Sequence, residues 1–348
     1  MRPLNAPPPH PVARRALLLG ATAALTATAG CSDTTTGTTT GTTTGATTGT
    51  TPADPAKSTP AATPTPSATA ALPRTTPWRP TSAENEPKAK LRAVQLVEAL
   101  GAWRSGGSGK AAARTRVTAL HLPAALADQA GALLPAADEA VVQVVDAQYG
   151  GLLTDTASVL VVCRQWTRRG STVTAGGTTV DVRLRRTSGS VWTVTALHPA
   201  DPGPARKPEA KDVREVLAAS RLTLPPAAEA DVRSGRVHAT VLDTMLGLAR
   251  TYRVDISVIR SGHPLDVFGT TRPSDHPQGR AFDVWRIDGH PVVDPDTPRT
   301  LIEGFMRAAA AAGSYNVGGP IHLSGGTTPN QFFSDATHHD HVHVGFRT

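Results

Sequence analysis

Two segments of this 348-residue chain, more than fifty residues apart, carry side chains that make chemical sense only together, and bringing them together constrains the fold more than any other feature. In residues 274–283 (SDHPQGRAFD), His276 and Asp283 lie on either side of a turn-forming Pro277-Gln278-Gly279, and the carboxylate rides on an apolar, strand-like run over 281–285. In residues 338–346 (HHDHVHVGF), His341 and His343 flank a valine. Successive side chains of a strand point to opposite faces, so both imidazoles project to one side. His276, Asp283 and His343 then form a nitrogen and oxygen donor set that suits zinc and leaves a fourth position for water, as catalytic rather than structural sites do. His341 is a spare histidine beside them.

The rest of the last third can build a platform for such a set. Helices are predicted over 212–220 and 236–252, the second with Val241, Leu242, Met245, Leu248 and Tyr252 on one face. A strand over 255–260 follows, and Asp288-Gly289 signals a hairpin that folds 291–293 back beside the carboxylate strand. Thr297 as N-cap, Pro298 at the first helical position and Gly313 bracket one more helix. The predicted fold class is α+β: residues 206–348 form a small antiparallel sheet backed by helices, with the three ligands converging on one face.

A separate α+β accessory domain is expected over 84–200. Residues 88–103 have a helical apolar face (Leu91, Val94, Leu96, Val97, Leu100, Trp103), and a second helix is predicted over 124–134. Strands follow over 140–147, 157–167, 172–185 and 190–197, with glycine pairs such as Gly150-Gly151 and Gly176-Gly177 read as turns. The order of elements resembles nuclear-transport-factor-type cones in pattern only, and no catalytic constellation stands out. Asp201-Pro202-Gly203-Pro204 is the predicted boundary between the two domains.

The first eighty residues belong to neither domain. Arg14-Arg15 and the apolar stretch after it read as an export signal over 1–31, too short and too rich in alanine and threonine for a spanning helix. The paired arginines point to twin-arginine export. Thr28-Ala29-Gly30-Cys31 resembles a bacterial lipobox, which implies lipidation of Cys31 and an anchor on the outer face of the cell membrane. Residues 32–83, rich in Thr, Gly and Pro, have almost nothing to bury and are expected to form a disordered tether. A flexible chain of that length spans roughly 40 Å. Six basic and two acidic residues among the first eighty account for +4 of the net +7, so the remainder carries only +3. No basic stripe interleaved with aromatics accompanies it, and nucleic acid is not an expected partner. Cys163, the other of two cysteines, sits in an apolar run and is expected to be a buried thiol.

The string Ser274-x-His276-x-x-Gly279-x-Ala281-x-Asp283 resembles the signature of zinc D-Ala-D-Ala carboxypeptidases, and Asp340-His341-Val342-His343 is similar to the closing motifs of the superfamily that also holds lysostaphin and hedgehog-type domains. The resemblance covers residues from about 211 onward. It implies a zinc metallopeptidase acting on the stem peptides of peptidoglycan, as a D,D-carboxypeptidase or an endopeptidase, with His276, Asp283 and His343 as metal ligands. The zinc would activate a water and polarise the scissile carbonyl, while a nearby base shuttles the proton to the leaving amine. Asp340 and His341 compete for that base. The closing motif favours Asp340 and strand parity favours His341, which is preferred, with Asp340 then orienting the imidazole. Arg272 and Arg260, with Ser274, are the candidates for holding a substrate carboxylate or an oxyanion. The related enzymes carry an arginine after a Ser-Gly turn; here His263 stands in that slot and Arg272 is the preferred substitute. His338 and His339 are expected in a solvated turn. The competing expectation is a non-catalytic, zinc-bearing module that binds wall peptides or a partner protein.

Overall fold

Long alternating stretches of apolar and polar residues give the first half its form. The computed structural model describes residues 71–347; the export signal, Cys31 and most of the tether lie outside the described residues. Strands β1 (Glu139–Leu152), β2 (Thr156–Arg169), β3 (Thr172–Ser188) and β4 (Val191–Pro199) pair antiparallel in the order β1-β2-β3-β4. Helix α1 (Pro87–Gly101) lays Ala93, Val94, Val97 and Leu100 on this sheet, all buried in one core with Val159, Val161 and Val182. Each such valine or leucine contributes about 1.5–3 kcal/mol on burial. Cys163 is a buried free thiol, pushed up to about 11 by burial, and its inert placement matches the expectation.

Two local expectations fail for identifiable reasons. The glycine pairs do not turn the chain: Gly150 and Gly151 lie inside β1, and a Cβ on Gly151 would fall 2.1 Å from Cβ of Phe268, which packs against the strand there. The segment predicted as a second helix is two short 3-10 turns, Ala124–Gln129 and Gly131–Leu133, interrupted where Gly131 takes φ +50°. The real helix α2 (Gly109–Ala119) comes earlier, hidden in sequence by the glycine- and serine-rich residues at its start.

The second half builds a mixed sheet rather than an antiparallel one. Helices α3 (Lys211–Ala218), α4 (Pro226–Arg233) and α5 (Ala239–Ala249) surround strand β5 (Leu222–Thr223), and β6 (Val254–Val258) follows. Next come β7 (Ala281–Ile287), β8 (His290–Pro291), α6 (Arg299–Ala311), β9 (Asn316–Gly318), β10 (Phe332–Phe333) and β11 (Val342–Gly345). The order is β10-β9-β11-β7-β6-β5, with β8 on β7 as the Asp288-Gly289 hairpin requires. The β5–β6 and β10–β9 pairs are parallel, since helices α4 and α5 carry the chain across between β5 and β6. Thr297 does not cap α6: its Oγ1 donates to Pro291 O at 2.6 Å, tying the helix start to the hairpin, and the N-cap is Pro298.

Strand alternation sorts this sheet into a core face and a site face. Phe282, Val284, Val342 and Val344 join Met245, Phe305 and Met306 in the core with the helices. Asp283 and His343 point the other way, and they are paired directly across β7 and β11. The first sheet covers part of that second face. Leu160 and Val162 of β2 pack with Val258 of β6, and the described residues belong to one compact unit. Among the described residues no helix is long and apolar enough to cross a membrane.

Gly279 shows why the turn before β7 needs glycine. It sits at φ +72°, its N–H donates to His276 O at 2.8 Å, and a Cβ there would lie 2.1 Å from the carbonyl oxygen of Arg236. Gly279→Ala is expected to lower stability by at least about 1–3 kcal/mol from backbone strain alone, read as a lower urea midpoint with unchanged m.

Candidate metal centre

A backbone hydrogen bond fixes the first candidate ligand. His276 Nδ1 lies 2.7 Å from Ile259 O, which can only accept, so Nδ1 carries the proton and Nε2 presents its lone pair to the site. That Nε2 is 3.1 Å from Asp283 Oδ1 and 3.0 Å from His343 Nδ1, and His343 Nδ1 is 3.0 Å from the same carboxylate oxygen. All three side chains are buried. A nearly equilateral triangle of donor atoms thus closes between three residues that the sequence places in two distant segments.

The triangle fits zinc. Ligands at about 2.0–2.2 Å in tetrahedral array stand about 3.4 Å apart, a few tenths of an ångström wider than these edges. The electrostatics agree with the geometry. A neutral imidazole nitrogen and a carboxylate oxygen are both acceptors, and a single proton can bridge only one of the three edges, whereas one cation answers all three lone pairs.

His263, which stands where an arginine was expected, belongs to the same neighbourhood. Its ring stacks on His276 at 4.0 Å between centroids, and it offers an atom within 4.8 Å of donors on His276 and Asp283. The trio with His343 has edges of 3.0–3.1 Å, close to tetrahedral spacing, and is the better candidate ligand set, with His263 flanking it. Burial holds His263 well below its ordinary value and brings His343 down to about 4. Both imidazoles are therefore neutral near pH 7, as metal ligation demands. Burial works against ionisation of Asp283, but His276 and His341 and the hydrogen bonds to it outweigh that and hold its carboxyl well below the usual range.

The two candidate bases have separate places. His341 Nδ1 donates to Asp340 Oδ1 at 2.6 Å, leaving Nε2 directed toward the triangle, 3.8 Å from Asp283 Oδ1. Burial opposes charge on this imidazole, yet Asp283 and Asp340 together raise its pKa. Asp340 faces away from the cleft: its Oδ2 accepts the N–H of Tyr149 at 3.1 Å and pairs with Lys90 Nζ at 2.6 Å. Burial resists ionisation of Asp340 as well, but Lys90 and His341 bring it down to about 2.

Of the proposed substrate contacts, one is misplaced. Arg260 donates to the carbonyls of Asp201 and Pro202, at 3.3 and 2.8 Å, and its Nε is 3.5 Å from Asp231. It lines a neighbouring cavity of about 860 Å³ and not the histidine cleft, because a guanidinium held by the segment between the two sheets cannot also reach the ligands. Arg272 does line the histidine cleft, about 730 Å³ in volume, and is exposed there. Ser274 lines it too, with Oγ 3.4 Å from His263 Nδ1. His338 corrects the expectation of a solvated turn. Its Nδ1 meets Asp335 Oδ1 at 2.8 Å and its ring faces the cleft, 5.2 Å from that of His341. His339 instead bonds Ala83 O at 2.9 Å.

Residues of the first half of the chain, on α1 and β1, complete the site, and none of them is in the sequence-derived set. Lys90 is fully buried between Asp340 and Glu84, and Asp146, half-buried with its Oδ2 enclosed, is pushed up to about 7 by desolvation that Lys90 only partly offsets. Gln148 Nε2 donates to Asp283 Oδ2 at 2.6 Å. One signal was available: Lys90 lies four and seven residues before Val94 and Val97, inside the apolar stripe of its helix, where a lone lysine needs a buried partner. A comparison with protein-family models, curated proteins and solved structures finds no match for this chain.

Proposed function

We propose that the chain is a cell-envelope zinc metallopeptidase that hydrolyses peptide bonds of peptidoglycan stem peptides. The observation that carries the proposal is the triangle of His276, Asp283 and His343 at 3.0–3.1 Å, opening on a cleft that His341 also lines. Zinc held there supplies Lewis-acid chemistry, lowering the pKa of a water and polarising a carbonyl. His341, with Nδ1 committed to Asp340, has only Nε2 free to take a proton beside the ligands and deliver it to a leaving amine. Arg272 at the rim provides a two-donor fork for a substrate carboxylate. The choice of wall peptides rests on the resemblance of residues 274–283 and 340–343 to the D-Ala-D-Ala carboxypeptidase and lysostaphin motifs. The export signal, a lipid on Cys31 and the tether that follows would hold this domain at the outer face of the membrane within reach of the wall. In the same proposal residues 84–200 are the accessory domain and residues 206–348 the peptidase domain.

The test is incubation of the zinc-loaded full chain with muropeptides. New amine and carboxylate termini are expected with the wild type and none with His343→Ala; tight zinc binding without any turnover would favour a binding module instead. His341→Gln keeps the ring's bulk only in part but removes the titrating nitrogen. It is expected to cut kcat by about 10²–10⁴-fold with zinc still bound, measured by single-substrate kinetics alongside metal content.

A further inference from the structure

The two oxygens of Asp283 are sorted between two different tasks. Oδ1 faces His276, His343 and, at 3.8 Å, His341, while Oδ2 accepts the short hydrogen bond from Gln148 Nε2 at 2.6 Å. Gln148 sits on β1 of the other sheet, with none of its surface exposed. The amide's orientation is set by the carboxylate oxygen, which can only accept and so requires the NH2 group, while Ser257 on β6 donates its hydroxyl to Gln148 Oε1. The same Ser257 Oγ is 3.3 Å from the backbone carbonyl of Asp283, so serine, glutamine and aspartate form one closed polar group.

We infer that Gln148 is a positioning residue of the metal centre: by occupying Oδ2 it holds Asp283 to ligation through Oδ1 alone, so the two sheets build the centre jointly. This rests on the zinc reading above. A buried carboxylate with a free second oxygen can rotate to bind an ion through both, which raises the coordination number and fills the position a water needs. A donor fixed at Oδ2 from outside the ligand-bearing sheet prevents that rotation. The first sheet therefore acts on the metal, and not only as a support for substrate.

The experiment loads the full chain with zinc or cobalt and compares wild type, Gln148→Met and Ser257→Ala. Methionine keeps the length of glutamine but donates nothing; Ser257→Ala removes the hydroxyl that holds Gln148 Oε1 and is the milder change should Gln148→Met fail to fold. Wild type is expected to bind one equivalent and, with cobalt, to show the strong visible absorption of a four-coordinate ion. Gln148→Met is expected to weaken zinc about 10–100-fold by chelator competition and to shift cobalt toward the weaker absorption of a five-coordinate ion. Ser257→Ala should move both readouts in the same direction by less. Unchanged affinity and an unchanged cobalt spectrum in the variants that fold would overturn the role of Gln148 while leaving the metal centre standing. Absence of binding by the wild type would overturn both.

Discussion

His276→Ala is expected to abolish stoichiometric zinc binding and, with it, all peptide hydrolysis. His276 Nε2 is a corner of two of the three edges of the donor triangle, and its direction is set by the bond from Nδ1 to Ile259 O. Without it, Asp283 and His343 present two donors, too few to strip the ion of water. The loss should exceed the roughly 10–100-fold that a supporting partner of a ligand is worth. Stability should fall too, by about 1–3 kcal/mol, because the Ile259 carbonyl loses its buried donor. The matched control is His263→Ala, which removes the stacked ring but none of the three close donors and should retain one zinc per chain. Metal content after dialysis against a weak chelator separates the two variants.

Lys90→Met is expected to be the most destabilising single change outside the ligands. Lys90 is the cation in a buried group with Glu84, Asp340 and Asp146, and burial alone would lower its pKa, yet Asp340 and Glu84 raise it. Methionine fills similar volume but removes the cation these carboxylates share, leaving Asp340 only its bonds from His341 and Tyr149, for which the expected cost is about 3–5 kcal/mol. The pH dependence has a definite sign. Without Lys90, the folded-state pKa values of Glu84 and Asp146 rise further above their unfolded values. The folded variant then binds protons that the unfolded chain does not, so its stability falls as pH increases. The gap to wild type should be widest at neutral pH and narrower near pH 5, read from denaturant melts at each pH. In the wild type, Asp340 contributes stability that is present above its ordinary value and lost as pH drops toward about 2.

The convergence of His276, Asp283 and His343 was legible in the sequence because its signals are local. A histidine and an aspartate across a glycine turn depend only on strand alternation and turn chemistry; Asp283 and His343 face each other across β7 and β11, while His341, one residue before β11 begins, lines the same cleft. The supporting side chains were not legible, because their meaning depends on where the first sheet docks. Gln148 reads as one more polar residue of an alternating strand, and it contacts Asp283 across 135 positions of sequence. Lys90 is the intermediate case, its place in an apolar stripe being visible but not the Asp340 that explains it. The parallel edges of the second sheet escaped for a related reason: β5, β9 and β10 are two or three residues long, too short for any periodicity. Arg260, read as a candidate for holding a substrate carboxylate or an oxyanion, is instead held by the carbonyls of Asp201 and Pro202, partners that no local sequence signal shows.

The most direct measurement is zinc-edge X-ray absorption on the zinc-loaded full chain. Two imidazole nitrogens, one carboxylate oxygen and one further light oxygen donor, all at about 2.0–2.2 Å, are what His276, His343, Asp283 and a water would give. A third imidazole in the coordination sphere, or a set without two imidazoles, would contradict the account.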